Sequence, residues 1–313
     1  MKISVVSTLY RSSQFIDEFY QRIKASIEQH THDFELIFVD DGSPDDSNMR
    51  VQQLVKKDSR VMLVELSRNF GHHHAIMAGL SQAKGDLVFL IDSDLEEQPE
   101  WFNVFLEELR EHNADVVYGI QRERVGGLFR KYTGNLFYRL FNSVSETKIP
   151  ENPCTIRLMT KEYVDVLIRF TETNLFLAGN CAWTGFKQLS ISLDKVTNEK
   201  DRKSNYKIIK LIKLFINAVT SFSSYPLTLV FFIGCMISLI SALFGLDLFV
   251  NKILNPNSFQ IGYSSIMISL WFLGGLIILF IGIIGLYLSK VFEEVKNRPQ
   301  FIIRKIYKGE KNG

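Results

Sequence analysis

Short apolar runs alternate with longer amphipathic stretches over roughly the first 120 residues of the chain. Continuous apolar runs are typical of strands that are buried on both faces of a sheet. Interleaved helices then predict an α/β fold, in which a mostly parallel sheet is covered by helices. The predicted strands are Ile3–Leu9, Phe34–Val39, Val61–Leu66, Leu87–Ile91 and Val116–Ile120, and the predicted helices are Phe15–Ile27, Ser47–Lys56, His73–Ala83 and Glu100–His112.

Two long uncharged segments follow in the second half of the chain. Leu214–Leu246 and Ile253–Ser289 contain no charged residue. A bilayer core needs about 20 apolar residues for each helical crossing, so the pattern predicts transmembrane helices over about 226–246 and 264–288. The alternative, two buried helices of a soluble protein, fits two uncharged segments of this length poorly.

The distribution of basic residues predicts the orientation of these crossings. The loop between them offers only Asp247 and Lys252, whereas the tail 290–313 is rich in lysine and arginine. Basic residues favour the cytoplasmic side, so we expect both the large amino-terminal part and the tail in the cytoplasm. The apolar run at the amino end, Ile3–Leu9, is too short for a secretory signal.

A basic amphipathic segment precedes the first predicted crossing. Lys207, Lys210 and Lys213 recur every three residues among isoleucine and leucine. This pattern predicts an interfacial helix at 206–225, although an ordinary surface helix packed on the domain is an alternative. The predicted order is a cytoplasmic α/β domain at 1–205, the interfacial helix, two crossings within 226–289 and a basic tail at 290–313.

Composition narrows the classes of function. The chain has 313 residues, 36 basic and 34 acidic, so its net charge of +2 gives no reason to expect a nucleic-acid partner. The spacing of its three cysteines, Cys154, Cys181 and Cys235, predicts neither a disulfide framework nor a zinc site. The run His72-His73-His74 also argues against zinc, because consecutive helical residues point in different directions.

Carboxylates follow two of the predicted strands. Asp40-Asp41-Gly42-Ser43 comes after the second strand, and Asp92-Ser93-Asp94 comes after the fourth. Two carboxylates in a D-x-D pattern can bind one hard divalent cation, with a nucleotide diphosphate completing its shell. Ordinary strand-ending turns are the alternative for both segments.

The motifs occur together in an order that carries a resemblance. They are Val39-Asp40-Asp41-Gly42-Ser43, Ser67-Arg68-Asn69-Phe70-Gly71, Ala78-Gly79-Leu80, Gly85-Asp86, Asp92-Ser93-Asp94-Leu95, Ile156-Arg157-Leu158-Met159, Trp183-x-Gly185-Phe186 and Asn297-Arg298-Pro299. This set resembles the family 2 inverting glycosyltransferases of GT-A fold, and above all their polyisoprenyl-phosphate branch. The resemblance covers nearly the whole chain.

The resemblance implies roles for individual residues. It implies that the nucleotide sugar is bound by Leu9, Tyr10, Asp40, Asp41, Arg68 and Asn69. It implies that a magnesium or manganese ion is bound by Asp92 and Asp94, and that Arg157 is a third catalytic residue. It also implies that the acceptor phosphate is bound by Arg122, Arg124, Arg130, Lys203, Ser204 and Lys207. For the three arginines of this last set, a basic surface that faces the membrane is the alternative.

The implied reaction is transfer of a sugar from a nucleotide sugar, with a UDP-sugar as the first donor to test, to a polyprenyl phosphate such as undecaprenyl phosphate. The implied location is the bacterial inner membrane, and the resemblance suggests a tetramer. Thr155 stands where many relatives have an acidic residue, which leaves the identity of a general base open. The alternatives are a processive polysaccharide synthase and a catalytically silent membrane scaffold.

Overall fold

A computed structural model of the chain describes residues 1–121, 150, 152–173, 175–194, 225–254 and 263–309. The predicted acceptor-phosphate residues Arg122, Arg124, Arg130, Lys203, Ser204 and Lys207 lie outside these ranges, as does the predicted interfacial helix up to residue 224. Those predictions therefore stay predictions.

The amino-terminal elements confirm the predicted alternation of strands and helices. The strands are β1 (Ile3–Leu9), β2 (Phe34–Asp40), β3 (Val61–Leu66), β4 (Leu87–Leu90) and β5 (Val116–Gln121). The helices are α1 (Ile16–Glu28), α2 (Ser47–Lys57), α3 (His72–Leu80) and α4 (Trp101–Glu111). In α1, Phe19, Ile23 and Ile27 recur every four residues and are fully buried, so one face of the helix enters the core.

The remaining elements complete the sheet and add two long apolar helices. They are β6 (Pro153–Thr160), α5 (Lys161–Leu167), α6 (Leu177–Trp183), β7 (Gln188–Leu193), α7 (Tyr225–Leu254), α8 (Tyr263–Val295) and β8 (Ile303–Lys308). None of the strands β6 to β8 is among the predicted elements. β6 has eight residues and β7 and β8 have six each, and β8 lies in a segment whose many basic residues mask the strand pattern.

The eight strands form one mixed sheet in the order β7-β5-β6-β4-β1-β2-β3-β8. The central strands β4, β1, β2 and β3 are parallel, as predicted. The sheet is mixed because β6 runs antiparallel between β4 and β5, and β8 runs antiparallel along β3. Helices α1, α2 and α4 pack on one face, while α3, α5 and α6 pack on the other.

This topology brings polar segments together at one edge of the sheet. Leu9 at the end of β1 lies in register with Asp40 at the end of β2. The chain leaves β4 on the other side of β1 and continues directly into Asp92. Because carboxyl ends of parallel strands share an edge, the two acidic turns flank the end of β1.

The apolar character of the carboxyl-terminal helices agrees in part with the predicted membrane crossings. Among the residues described, Phe272–Val295 of α8 is long and apolar enough to span a bilayer. No residue in its most apolar stretch is buried. In α7 the apolar segment Leu227–Ile237 is shorter. The structure thus provides one candidate span, and the crossing by α7 stays a prediction.

Candidate active site

The turn after β2 holds two buried carboxylates with different partners. Asp40 is 4% exposed, and its oxygens accept hydrogen bonds from the Ser43 backbone at 2.9 Å and from Asn48 Nδ2 at 2.7 Å. Burial raises the pKa of Asp40, although both hydrogen bonds act in the opposite direction. Asp40 therefore shapes the turn at the end of the strand, which was one of the two interpretations of the sequence.

Asp41 joins this turn to the loop that precedes α3. Its two carboxylate oxygens accept the backbone N–H groups of Phe70 at 2.7 Å and Gly71 at 3.0 Å. In return, Asn69 Nδ2 donates to the Asp41 carbonyl at 2.9 Å. Gly42 between the two loops has φ +66°, and a Cβ there would lie 2.8 Å from the Asn69 nitrogen, so the close approach requires glycine.

The other residues predicted to bind the nucleotide differ in exposure. Leu9 is fully buried, so only its main chain faces the edge of the sheet, where its carbonyl accepts Asp41 N–H at 3.2 Å. Tyr10 is 50% exposed. Arg68 is also exposed and its guanidinium lies 4.2 Å from the centroid of the Phe70 ring. Tyr10, Arg68 and Asn69 are thus the exposed residues among the predicted nucleotide contacts, and the Asn69 side chain is already bonded to the Asp41 carbonyl.

The D-x-D turn after β4 is anchored by its middle residue. Ser93 is 2% exposed and donates through its hydroxyl to the Thr8 carbonyl at 2.9 Å. Asp92 and Asp94 on either side are partly exposed. Asp94 also accepts the Glu96 backbone N–H at 3.0 Å, as in an ordinary Asx turn. The turn held by Ser93 thus carries two carboxylates, Asp92 and Asp94, whose hard oxygen atoms suit magnesium or manganese.

His72 lies beside this turn and holds a defined ring orientation. Its Nδ1 is 3.1 Å from Thr8 Oγ1, and its Nε2 is 3.5 Å from Asp92 Oδ1. His73 instead lies 3.3 Å from the Leu175 carbonyl through Nδ1, and burial lowers its pKa. The neighbouring histidines thus diverge as expected. Within the described ranges no three His, Cys, Asp or Glu side chains converge as a ready metal site.

Arg157 lies in the middle of the sheet and lines a cavity. Its position in β6 pairs with Leu90 of β4 and with Tyr118 of β5, and it is only 5% exposed. The cavity has a volume of about 240 Å³. Its walls are formed by Tyr118, Pro150, Pro153, Arg157, Ala178, Cys181, Ala182, Phe186 and Gln188.

The guanidinium of Arg157 is oriented by three protein acceptors. Nε donates to the Thr155 carbonyl at 3.1 Å, Nη1 to Cys181 Sγ at 2.6 Å and Nη2 to the Cys154 carbonyl at 3.3 Å. Burial lowers the pKa of Arg157, but the groups of Cys181, Tyr163 and Glu97 more than offset it and raise the pKa. The cavity therefore contains a permanent, fixed cation.

Glu97 lies beside the D-x-D turn. Its carboxylate is buried and lies 3.5 Å from the Asp92 backbone nitrogen, and its charge helps to raise the pKa of Arg157. Leu90, two residues before Asp92, pairs with Arg157 across β4 and β6, so the D-x-D turn follows a strand that is adjacent to the cavity. Sequence reasoning missed Cys181 and Gln188 in its wall, since neither lies in a motif with a recognisable chemical role. Trp183 of the Trp183-x-Gly185-Phe186 motif is 65% exposed and packs edge-to-face on Phe170.

Comparisons with known proteins agree with this geometry. Residues 4–168 match the model of glycosyl transferase family 2. A Mycobacterium tuberculosis protein named among the glycosyltransferases is 42% identical over 307 residues, which cover 98% of this chain and 89% of the relative. The prophage SfII bactoprenol glucosyl transferase of Shigella flexneri is 33% identical over 310 residues and covers 99% of both chains.

A solved structure supports the fold. The mannosyltransferase PcManGT from Pyrobaculum calidifontis, in complex with GDP-Man and Mn2+, superposes with a TM-score of 0.50 at 15% identity. The match covers 94% of this chain and 86% of the mannosyltransferase. With the family match and the full-length relatives, it confirms the resemblance that the motifs carry: this chain is a glycosyltransferase and belongs to glycosyl transferase family 2.

Proposed function

We propose that the enzyme transfers a sugar from a nucleotide-sugar donor to the phosphate of a membrane polyprenyl phosphate, with inversion at the anomeric carbon. The observation that carries the proposal is the buried cation Arg157, which lines a cavity and pairs in the sheet with Leu90, two residues before the D-x-D turn. The Shigella relative named bactoprenol glucosyl transferase supports the same class of acceptor.

On the donor side, Asp92 and Asp94 would hold a magnesium or manganese ion. When bound, such an ion stabilises the negative charge that develops on the departing diphosphate. The Pyrobaculum neighbour was solved with Mn2+ and a nucleotide sugar, which supports this assignment. Exposed Tyr10 and Arg68 border the same edge of the sheet and would contact the nucleotide, for which UDP is the first candidate.

On the acceptor side, the cavity suits a phosphate monoester. Three of the five N–H groups of Arg157 donate to the protein, and the other two would donate to an anion in the cavity that the side chain lines. A phosphate oxygen would attack the anomeric carbon, forming the new C–O bond as the bond to the diphosphate breaks. Because the second pKa of a phosphate monoester is about 6, its oxygen needs little help from a general base.

This chemistry fits the residue at position 155. Thr155 has no carboxylate, but its carbonyl accepts Arg157 Nε and so helps to orient the guanidinium. A cation that orients the nucleophile is more useful here than a base that deprotonates it. The acidic residue of other relatives is therefore dispensable in this mechanism.

The long apolar helices would hold the site at the membrane. We propose that α7 and α8 both cross the bacterial inner membrane and that the catalytic domain and tail face the cytoplasm. The exposed apolar segment Phe272–Val295 supports one of these crossings. Undecaprenyl phosphate is the acceptor to test first, because a lipid carrier has its phosphate at the same boundary.

The test uses the full chain in lipid nanodiscs that contain undecaprenyl phosphate. Each of a panel of nucleotide sugars is added with Mg2+ or Mn2+, and the lipid products are analysed by mass spectrometry. We expect one sugar per lipid phosphate and no product after chelation with EDTA. A growing polymer would identify a processive synthase instead, and no turnover with any donor would favour a silent scaffold.

A further inference from the structure

The tail after α8 returns to the catalytic domain and contacts one particular loop. Asn297 has φ +45° and its N–H donates to the Glu294 carbonyl at 2.9 Å, so the helix ends in a tight turn. Three residues later, Gln300 Nε2 donates to the carbonyls of Phe170 at 3.0 Å and Glu172 at 2.8 Å. Both carbonyls belong to the segment between α5 and α6, described at residues 168–173 and 175–176, which we call the α5–α6 loop.

The end of α8 contacts the same loop directly. Glu294 Oε1 accepts the backbone N–H of Thr173 at 2.9 Å. The tail does not need these bonds for attachment to the domain, because β8 is already paired with β3 along Met62–Leu66. The contacts of Glu294 and Gln300 therefore act on the loop rather than on the tail.

On its other side, the α5–α6 loop contacts the catalytic site. Asn180 of α6 is 1% exposed and donates through Nδ2 to Glu172 Oε2 at 2.9 Å. The next residue, Cys181, accepts Arg157 Nη1 and lines the cavity. The loop also meets α3, where the Leu175 carbonyl lies 3.3 Å from His73. The loop thus lies between the apolar helix α8 and the wall of the cavity.

We propose that Gln300 and Glu294 are positioning residues. They fix the α5–α6 loop, and through it the α6 wall of the Arg157 cavity, relative to the end of α8. In this way the helix that approaches the membrane sets the alignment between the cavity and a lipid-borne phosphate. The proposal rests on the proposed function, since it requires that the cavity receives the acceptor phosphate.

The first test replaces the two donor N–H groups without changing the shape of the side chain. Gln300→Glu presents carboxylate oxygens to two carbonyls, so both hydrogen bonds are lost. We expect kcat/KM for undecaprenyl phosphate in nanodiscs to fall about five- to thirtyfold, the range of one or two ordinary hydrogen bonds. Donor binding and the slow hydrolysis of the donor by water should stay within twofold of wild type.

A second pair of variants separates the hydrogen bond from the rest of the side chain. Glu294→Ala removes the carboxylate oxygen that accepts Thr173 N–H, and it should lower kcat/KM for undecaprenyl phosphate in the same way. Glu294→Gln keeps an oxygen that can accept this hydrogen bond, and it should restore kcat/KM. Hydrogen–deuterium exchange over residues 168–183 should be faster in Gln300→Glu and in Glu294→Ala than in the wild type.

Arg304→Gln provides the matched control in the same tail. Arg304 is exposed and lies 3.5 Å from Glu65 of β3, so it contacts the sheet and not the loop. The Arg304→Gln variant should leave both kcat/KM for undecaprenyl phosphate and hydrogen–deuterium exchange of the loop unchanged. The proposal is overturned if Gln300→Glu behaves like Arg304→Gln, or if Glu294→Gln is as impaired as Glu294→Ala. If the wild type forms no lipid product, the proposed function itself fails.

Discussion

Replacement of Arg157 by lysine tests the acceptor site most directly, because it keeps the charge and removes the planar fork. Three of the five N–H groups of the guanidinium donate to protein acceptors, and the proposed function assigns the other two to the acceptor phosphate. One ammonium group cannot reach the same acceptors and a phosphate together. Each lost hydrogen bond to an anion contributes about 1.5–3 kcal/mol, so the change should cost about 3–6 kcal/mol.

This free energy corresponds to a fall of roughly 10²- to 10⁴-fold in kcat/KM for the lipid phosphate. The assay is transfer to undecaprenyl phosphate in nanodiscs at saturating donor, with nucleotide binding measured separately by calorimetry. Binding of the nucleotide should be unchanged, because the three protein acceptors of the Arg157 guanidinium, in Thr155, Cys181 and Cys154, lie outside the D-x-D turn. Thermal unfolding of the variant shows whether the domain is intact.

Arg22→Lys is the control for the replacement of an arginine by lysine, since Arg22 forms a surface ion pair with Glu100. Ion pairs of this kind contribute about 0–1 kcal/mol, so activity and stability should hardly change. An Arg157→Lys enzyme that uses the lipid phosphate at the wild-type rate would refute the assignment of the cavity to the acceptor. An equal loss of nucleotide binding would reassign Arg157 to the donor.

Three further changes test the metal site, the packing and the pH response. Asp94→Asn should abolish metal-dependent transfer and weaken Mn2+ binding measured by electron paramagnetic resonance, whereas exposed Glu107→Gln should not; normal Mn2+ binding would exclude Asp94 as a ligand. Gly79→Ala places a Cβ against a methyl of fully buried Val6, so unfolding in detergent should show a loss of about 1–3 kcal/mol, and unchanged stability would contradict this packing. Burial lowers the pKa of His73 below 6.5, so the folded state resists its protonation and stability should fall as the pH drops below about 6.5. His73→Asn should reduce that slope in thermal unfolding, and an unaltered slope would assign it to other groups.

Local patterns predicted the parts of the fold that depend on local interactions. The five amino-terminal strands and their helices could be predicted from apolar runs and helical spacing. The spacing of apolar residues within a segment indicates its secondary structure whichever element packs against it. The D-x-D pair was recognisable for the same reason, since both carboxylates belong to one turn. The structure added the anchor, the bond from Ser93 to Thr8, which joins residues 85 positions apart.

The amino-acid sequence by itself thus determined the family, the central parallel strands, the acidic turns and the apolar helices. Only the tertiary structure placed Cys181 on Arg157 and Gln300 on the α5–α6 loop, contacts that span 24 and 130 positions along the chain. It also made a basic tail into strand β8 of the catalytic sheet. Such contacts depend on the register and order of strands, which the alternation of polar and apolar residues along a segment does not specify.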